Sequence, residues 1–118
     1  MDSAAQYLFT CKSNYLSGIR PADKNSKNAQ GYKTLVQIAK TYFANNRYKE
    51  FAGFFMEAQY LVNLWTAHLI LEFGAPDDNL IDTCIDIIKE YSEGSLDQQV
   101  TSQEKKWLDD FLREKERK

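Results

Sequence analysis

Residues 60–73 read Tyr60-Leu61-Val62-Asn63-Leu64-Trp65-Thr66-Ala67-His68-Leu69-Ile70-Leu71-Glu72-Phe73, and their spacing decides the fold. Val62, Trp65, Leu69 and Phe73 recur on one face of a helix, while Leu61, Leu64, His68 and Leu71 make a second stripe beside it. A helix apolar around most of its circumference belongs inside, so the spacing predicts a central helix sheathed by others. Thr66 and Ala67 are small enough to let a neighbouring helix axis come close, and Gly74-Ala75-Pro76-Asp77 is a stop followed by a restart.

Upstream, Asp2 or Ser3 is placed to cap a first helix reaching about Ser17, with Ala4, Leu8, Cys11 and Tyr15 as its expected inner stripe and Ala5 and Leu16 beside it. Gly18 and Pro21 end that helix, and the polar stretch 20–27 reads as a loop. A second helix, begun at Asn25, Ser26 or Asn28, runs through Ala44 on Tyr32, Leu35, Val36, Ala39, Tyr42 and Phe43. Asn45-Asn46 breaks it, since Asn tolerates the left-handed backbone. A short third helix from about Arg47 to Met56 presents Phe51, Phe54 and Phe55. Gly53 inside it costs about 1 kcal/mol relative to Ala, so packing has to hold it.

After a turn near Glu57-Ala58 and the central helix, Asp77, Asp78 or Asn79 caps a fifth helix that reaches Tyr91 on Leu80, Ile81, Cys84, Ile85, Ile88 and Tyr91. Thr101-Ser102-Gln103-Glu104 has the spacing of a capping box, in which Thr hydroxyl and Glu carboxylate each satisfy an orphan N–H. It predicts a sixth helix on Trp107, Leu108, Phe111 and Leu112, with residues 113–118 charged enough to fray. No strand-like alternation and no Gly-rich loop occur. The expected architecture is all-α, about six helices in one domain over residues 1–118.

With 118 residues, 43% of them hydrophobic and 14% aromatic, the chain has material for one core. No window approaches the ~18–20 apolar residues of a membrane span, and Met1-Asp2-Ser3 lacks the basic start of a signal peptide, so the expected compartment is the cytoplasm. Cys11 and Cys84 fall on apolar stripes and are expected as buried thiols rather than a disulfide. The net charge of −2 hides an asymmetry. Residues 1–60 carry eight Lys or Arg against four Asp or Glu, and residues 61–118 carry seven against thirteen.

The pair formed by residues 47–56 and 60–73, and the run from Leu61 to Leu69 in the style of an aliphatic-x-x-Trp-Ala-Ala pattern, together resemble HEAT-like (armadillo-type) helical repeats. Lys27-Asn28, Tyr32, Leu35 and Ile38 ahead of that pair resemble, more narrowly, a bacterial family of short HEAT-like domains, over about residues 25–93. Such repeats often carry a basic residue after the Val, where this chain has Asn63. The resemblance implies antiparallel helix pairs stacked into a curved scaffold with a binding role. Members of comparable small families resemble immunity proteins, which cover a toxin's active site.

The most specific electrostatic feature is Asp78, Asp82, Asp86 and Glu90, a ridge of four carboxylates at i, i+4 along the fifth helix. Like charges so spaced destabilise a helix by ~0.2–0.5 kcal/mol per pair. The helix N-terminus offsets some of this at Asp78 and Asp82, and Lys89 offers partial relief to Asp86. Such a ridge serves either as a solvated face or as a docking surface for a basic partner protein. A divalent-ion site fits worse, because ligands along one straight face cannot wrap an ion.

His68, the single histidine, reads as a core or groove ring with one satisfied nitrogen. Two cysteines and one histidine at unrelated spacings match no zinc pattern, and no paired acid and base or phosphate loop can be assembled, so neither an enzyme nor a cofactor is expected. Tyr48, Phe54 and Trp107 are candidate aromatic interface anchors. The rival reading is a nucleic-acid-backbone binder using Lys24, Lys27, Lys33, Lys40, Arg47 and Lys49. A pI near 5.4 opposes it unless those residues gather on one face.

Overall fold

In the computed structural model, which describes residues 2–116, six α-helices carry the chain: α1 (Ser3–Leu16), α2 (Gln30–Ala44), α3 (Tyr48–Ala52), α4 (Val62–Phe73), α5 (Asp78–Glu93) and α6 (Gln98–Glu116). Short 3-10 turns at Lys24–Asn28, Gly53–Met56 and Gln59–Leu61 join them, and no strand occurs among the described residues. α4 is the centre. Every residue from Leu64 to Ile70 is buried, and α4 packs against α1, α2 and α5. Successive helices also pack on one another, α1 on α2 and α5 on α6, and the brief connections 74–77 and 94–97 leave their helices antiparallel neighbours. Residues 117 and 118 of the tail, expected to fray, lie outside the described residues; α6 itself continues through Glu116.

The helix ends follow local chemistry. Asp2 accepts the Ala5 N–H at 2.8 Å and Asp77 accepts the Leu80 N–H at 2.8 Å, so both are N-caps. α1 closes with Gly18 left-handed at φ +78°, the Gly18 N–H on the Tyr15 carbonyl and the Ile19 N–H on the Asn14 carbonyl, a Schellman arrangement that needs glycine. Gly53 divides the third helix as its propensity suggests: the α-helix stops at Ala52 and a 3-10 turn continues to Met56.

Three expectations are corrected. The inner stripe of α1 is Tyr7, Cys11 and Asn14, which leaves Leu8, Tyr15 and Leu16 outside. The Tyr7 hydroxyl reaches Thr66 Oγ1 of α4 at 2.8 Å, a bond that selects this face over the equally apolar one beside it. The central helix begins at Val62, because Tyr60 and Leu61 are both left-handed, at φ 53° and 61°. α6 begins at Gln98 instead of Thr101. Asp97 serves its start, accepting the Gln99 N–H at 2.9 Å, and Glu104 is released from any capping box.

Asn14 is buried at 2% exposure because it sits against Gly31 of α2. A Cβ on Gly31 would lie 1.9 Å from Asn14 Oδ1. Gly31→Ala is therefore expected to destabilise by about 1–3 kcal/mol through forced separation of α1 and α2. Gly53→Ala, whose Cβ meets open space, is expected to stabilise by about 0.4–1 kcal/mol. Urea unfolding of the two variants gives the signs directly.

Candidate functional site

His68 is 1% exposed and both of its nitrogens are engaged. Nε2 lies 2.6 Å from Glu104 Oε1 of α6, and Nδ1 lies 3.0 Å from Glu72 Oε2 one turn along α4. Two carboxylates on two nitrogens call for two donors, which the imidazolium supplies. Burial opposes that charge, but the Glu104 and Glu72 carboxylates outweigh it and raise His68 to about 9. The edge of the ring meets Trp107 at 4.4 Å, and Trp107 stacks in turn on Phe111 at 5.0 Å. The expectation of one satisfied nitrogen is exceeded: this is an ion-pair triad, buried at His68 and Glu104 and partly exposed at Glu72, that fastens α6 to α4.

Cys11 and Cys84 are free and fully buried, and burial pushes both thiols up to about 12. Among the described residues, no three His, Cys, Asp or Glu side chains are arranged to hold a metal ion.

Asp78, Asp82, Asp86 and Glu90 are all exposed on α5, and among the described residues no Lys or Arg stands within ion-pair distance of any of them. Lys89 provides no ion pair to Asp86. The ridge thus projects uncompensated negative charge along its length.

At the Glu90 end of the ridge opens a cleft of about 570 Å³ between the start of α4, the end of α5 and the α5–α6 connection. Tyr15, Tyr60, Tyr91, Asn63 and Leu96 are among its walls, with Glu90 and Asp97 as its charged lining residues. The Tyr91 hydroxyl donates to Asn63 Oδ1 at 2.8 Å, and the same oxygen accepts the Leu64 N–H at 2.9 Å, so this wall is fixed. Tyr60 and Leu61 both line the cleft in backbone conformations that cost non-glycine residues of order 1–3 kcal/mol each.

A second groove of about 240 Å³, lined by Leu8, Phe9 and Val62, shares Gln59 and Tyr60 with the cleft. The two adjoin at those residues, and Lys12 and Glu57 also line the groove. Phe9 in the groove is 60% exposed, and Leu96 in the cleft is wholly open to solvent. No anchor was expected here. The available signal was the doubled apolar pattern of α1, whose two adjacent stripes cannot both face inward.

The expected aromatic anchors Tyr48, Phe54 and Trp107 are half-buried and make packing contacts, and Trp107 also lines a depression beside Lys106. Phe54 meets Tyr7 at 4.5 Å, Tyr48 stacks on Phe43 at 4.7 Å with its hydroxyl accepting the Ala75 N–H, and Trp107 covers His68. Of the six basic residues of the nucleic-acid reading, several have contacts of their own. Arg47 pairs with Glu50 at 2.7 Å and lies over Tyr42, while Lys40 lies over Phe73. Lys24 and Lys27 border a depression with Lys106, in which Asp23 and Asp110 offset them.

No family model, curated protein or solved structure matches the chain. No helix among the described residues is long and apolar enough to cross a membrane.

Proposed function

We propose that the chain is a non-enzymatic protein-interaction domain, its helix pairs stacked in a HEAT-like manner, that acts in the cytoplasm on a partner with a basic surface. The carrying observation is the juxtaposition of the cleft lined by Tyr15, Tyr60, Leu61 and Leu96 with the carboxylate ridge that meets it at Glu90. Apolar contact supplies lifetime, and a one-signed field supplies encounter rate. Immunity and adaptor proteins are the classes whose work such a surface serves. The enclosure of His68 and both thiols supports a binding role over catalysis, since no nucleophile or base among them reaches a substrate.

The test is kinetic. Against the partner captured from the native cell, a variant with Asp82→Asn, Asp86→Asn and Glu90→Gln is expected to associate about ten times more slowly at low salt, with a shallower salt dependence. Phe9→Ser with Leu96→Ser is expected to speed dissociation with little effect on association. An unchanged association rate in the first variant would remove the ridge from the reading.

A further inference from the structure

The cleft at the end of the ridge has a lining charge of one sign. Glu90 and Asp97 border it, and among the described residues no Lys, Arg or His does. Asp97 holds the Gln99 N–H with one oxygen, whereas Glu90 has no ion-pair partner among the described residues. Burial raises the Tyr91 phenol, its bond to Asn63 opposes the rise, and the nearby Glu90 and Glu104 carboxylates add to it, so the field at this wall is negative.

The remaining wall is aromatic. Tyr15 and Tyr60 meet edge to face at 5.7 Å. Both rings already attract the chain's own cations, Arg20 at 4.6 Å over Tyr15 and Lys12 at 5.6 Å over Tyr60, yet neither cation lines the cleft. Aromatic faces beside a free carboxylate favour a guanidinium, which is planar, weakly hydrated and able to stack while donating two parallel hydrogen bonds. The volume lies within the ~300–1,000 Å³ of ligand sites, enough for an aliphatic neighbour against Leu61 and Leu96 as well.

We infer that this cleft receives an arginine side chain and an adjacent aliphatic residue from a basic docking segment of a partner protein. The inference deepens the partner-binding reading and depends on it for its biological meaning, although binding in the cleft can be measured without the partner.

The experiment is a ¹⁵N–¹H titration of the full chain with N-acetyl-leucyl-argininamide, repeated with the lysine analogue and with the neutral isostere containing citrulline. The arginine compound is expected to bind in the millimolar range, with shifts centred on Tyr15, Tyr60, Tyr91 and Leu96. Lysine is expected to bind less well, and citrulline about tenfold more weakly than arginine. Glu90→Gln should remove most of the difference between arginine and citrulline while leaving the spectrum folded. Equal binding of citrulline, shifts centred instead on Asp78 and Asp82, or no saturable shifts would overturn the assignment. If the dipeptide fails while the ridge still governs association with the captured partner, only the cleft assignment falls. If the dipeptide binds but ridge variants associate normally, the cleft stands and the steering role falls.

Discussion

Glu104→Ala is expected to lower the unfolding free energy by about 3–5 kcal/mol, because removing one member of a buried pair strands the charge of the other. Glu104 is 1% exposed and its Oε1 lies 2.6 Å from His68 Nε2, so water cannot replace it without opening the α4–α6 contact. For a domain whose whole stability is about 5–15 kcal/mol, the loss is a large fraction, and the melting temperature should fall by about 10–20 °C. Glu104→Gln retains an acceptor and should cost less, about 1–3 kcal/mol. The double variant His68→Leu with Glu104→Leu should recover much of the loss, since apolar replacement of a buried pair is often neutral. Additive costs in that cycle would mean that the two groups are not coupled.

The same triad gives stability a pH dependence of defined sign. His68 has a folded value raised to about 9, against about 6.5 when unfolded, so the unfolded chain releases its proton first as pH rises. Its contribution is complete below about pH 6.5 and disappears as pH climbs through 9, a change of about 3 kcal/mol. The double variant His68→Leu with Glu104→Leu, which leaves no buried unpaired carboxylate, should flatten the stability profile across that window even if it shifts the whole curve. A wild-type profile already flat from pH 6.5 to 9 would contradict the paired arrangement.

Trp65→Ala is the second large effect, expected at about 3–5 kcal/mol. Trp65 is 1% exposed in the middle of α4, and its ring meets Tyr32 of α2 edge to face at 5.6 Å. Truncation leaves a cavity that neighbours on several elements would have to fill together. The indole Nε1 has no hydrogen-bond partner, so Trp65→Phe removes a buried donor along with some volume. That variant should cost well under half as much as Ala. Far-UV circular dichroism through urea unfolding measures both without depending on tryptophan emission. A cost below about 1 kcal/mol for Trp65→Ala would show the helix is not enclosed.

What the sequence disclosed was what depends on periodicity. The circumferential apolar pattern of residues 60–73 predicted the buried helix, and α2 and α5 followed from stripes that have only one apolar face. α1 has two such faces side by side, and the choice between Tyr7-Cys11-Asn14 and Leu8-Tyr15 was made by partners distant in sequence, Thr66 and Gly31. Glu104 illustrates the same limit. Its spacing from Thr101 satisfies a local cap, but a histidine thirty-six positions earlier claims it, and no local pattern records that. The left-handed pair Tyr60-Leu61 carries no sequence mark either, since neither residue is glycine or asparagine. The ridge was legible because i, i+4 carboxylates define a face whatever the tertiary packing. The cleft at its end arises only from the meeting of three elements.

The measurement closest to the centre of this account is ¹⁵N nuclear magnetic resonance of the imidazole, whose signals need no assignment strategy because the chain has a single histidine. A ring held between Glu72 and Glu104 should show both N–H groups at neutral pH, exchange slowly with solvent, and titrate near pH 9. A midpoint near the ordinary 6.5 with fast exchange would place the ring in contact with water and contradict the enclosed scaffold.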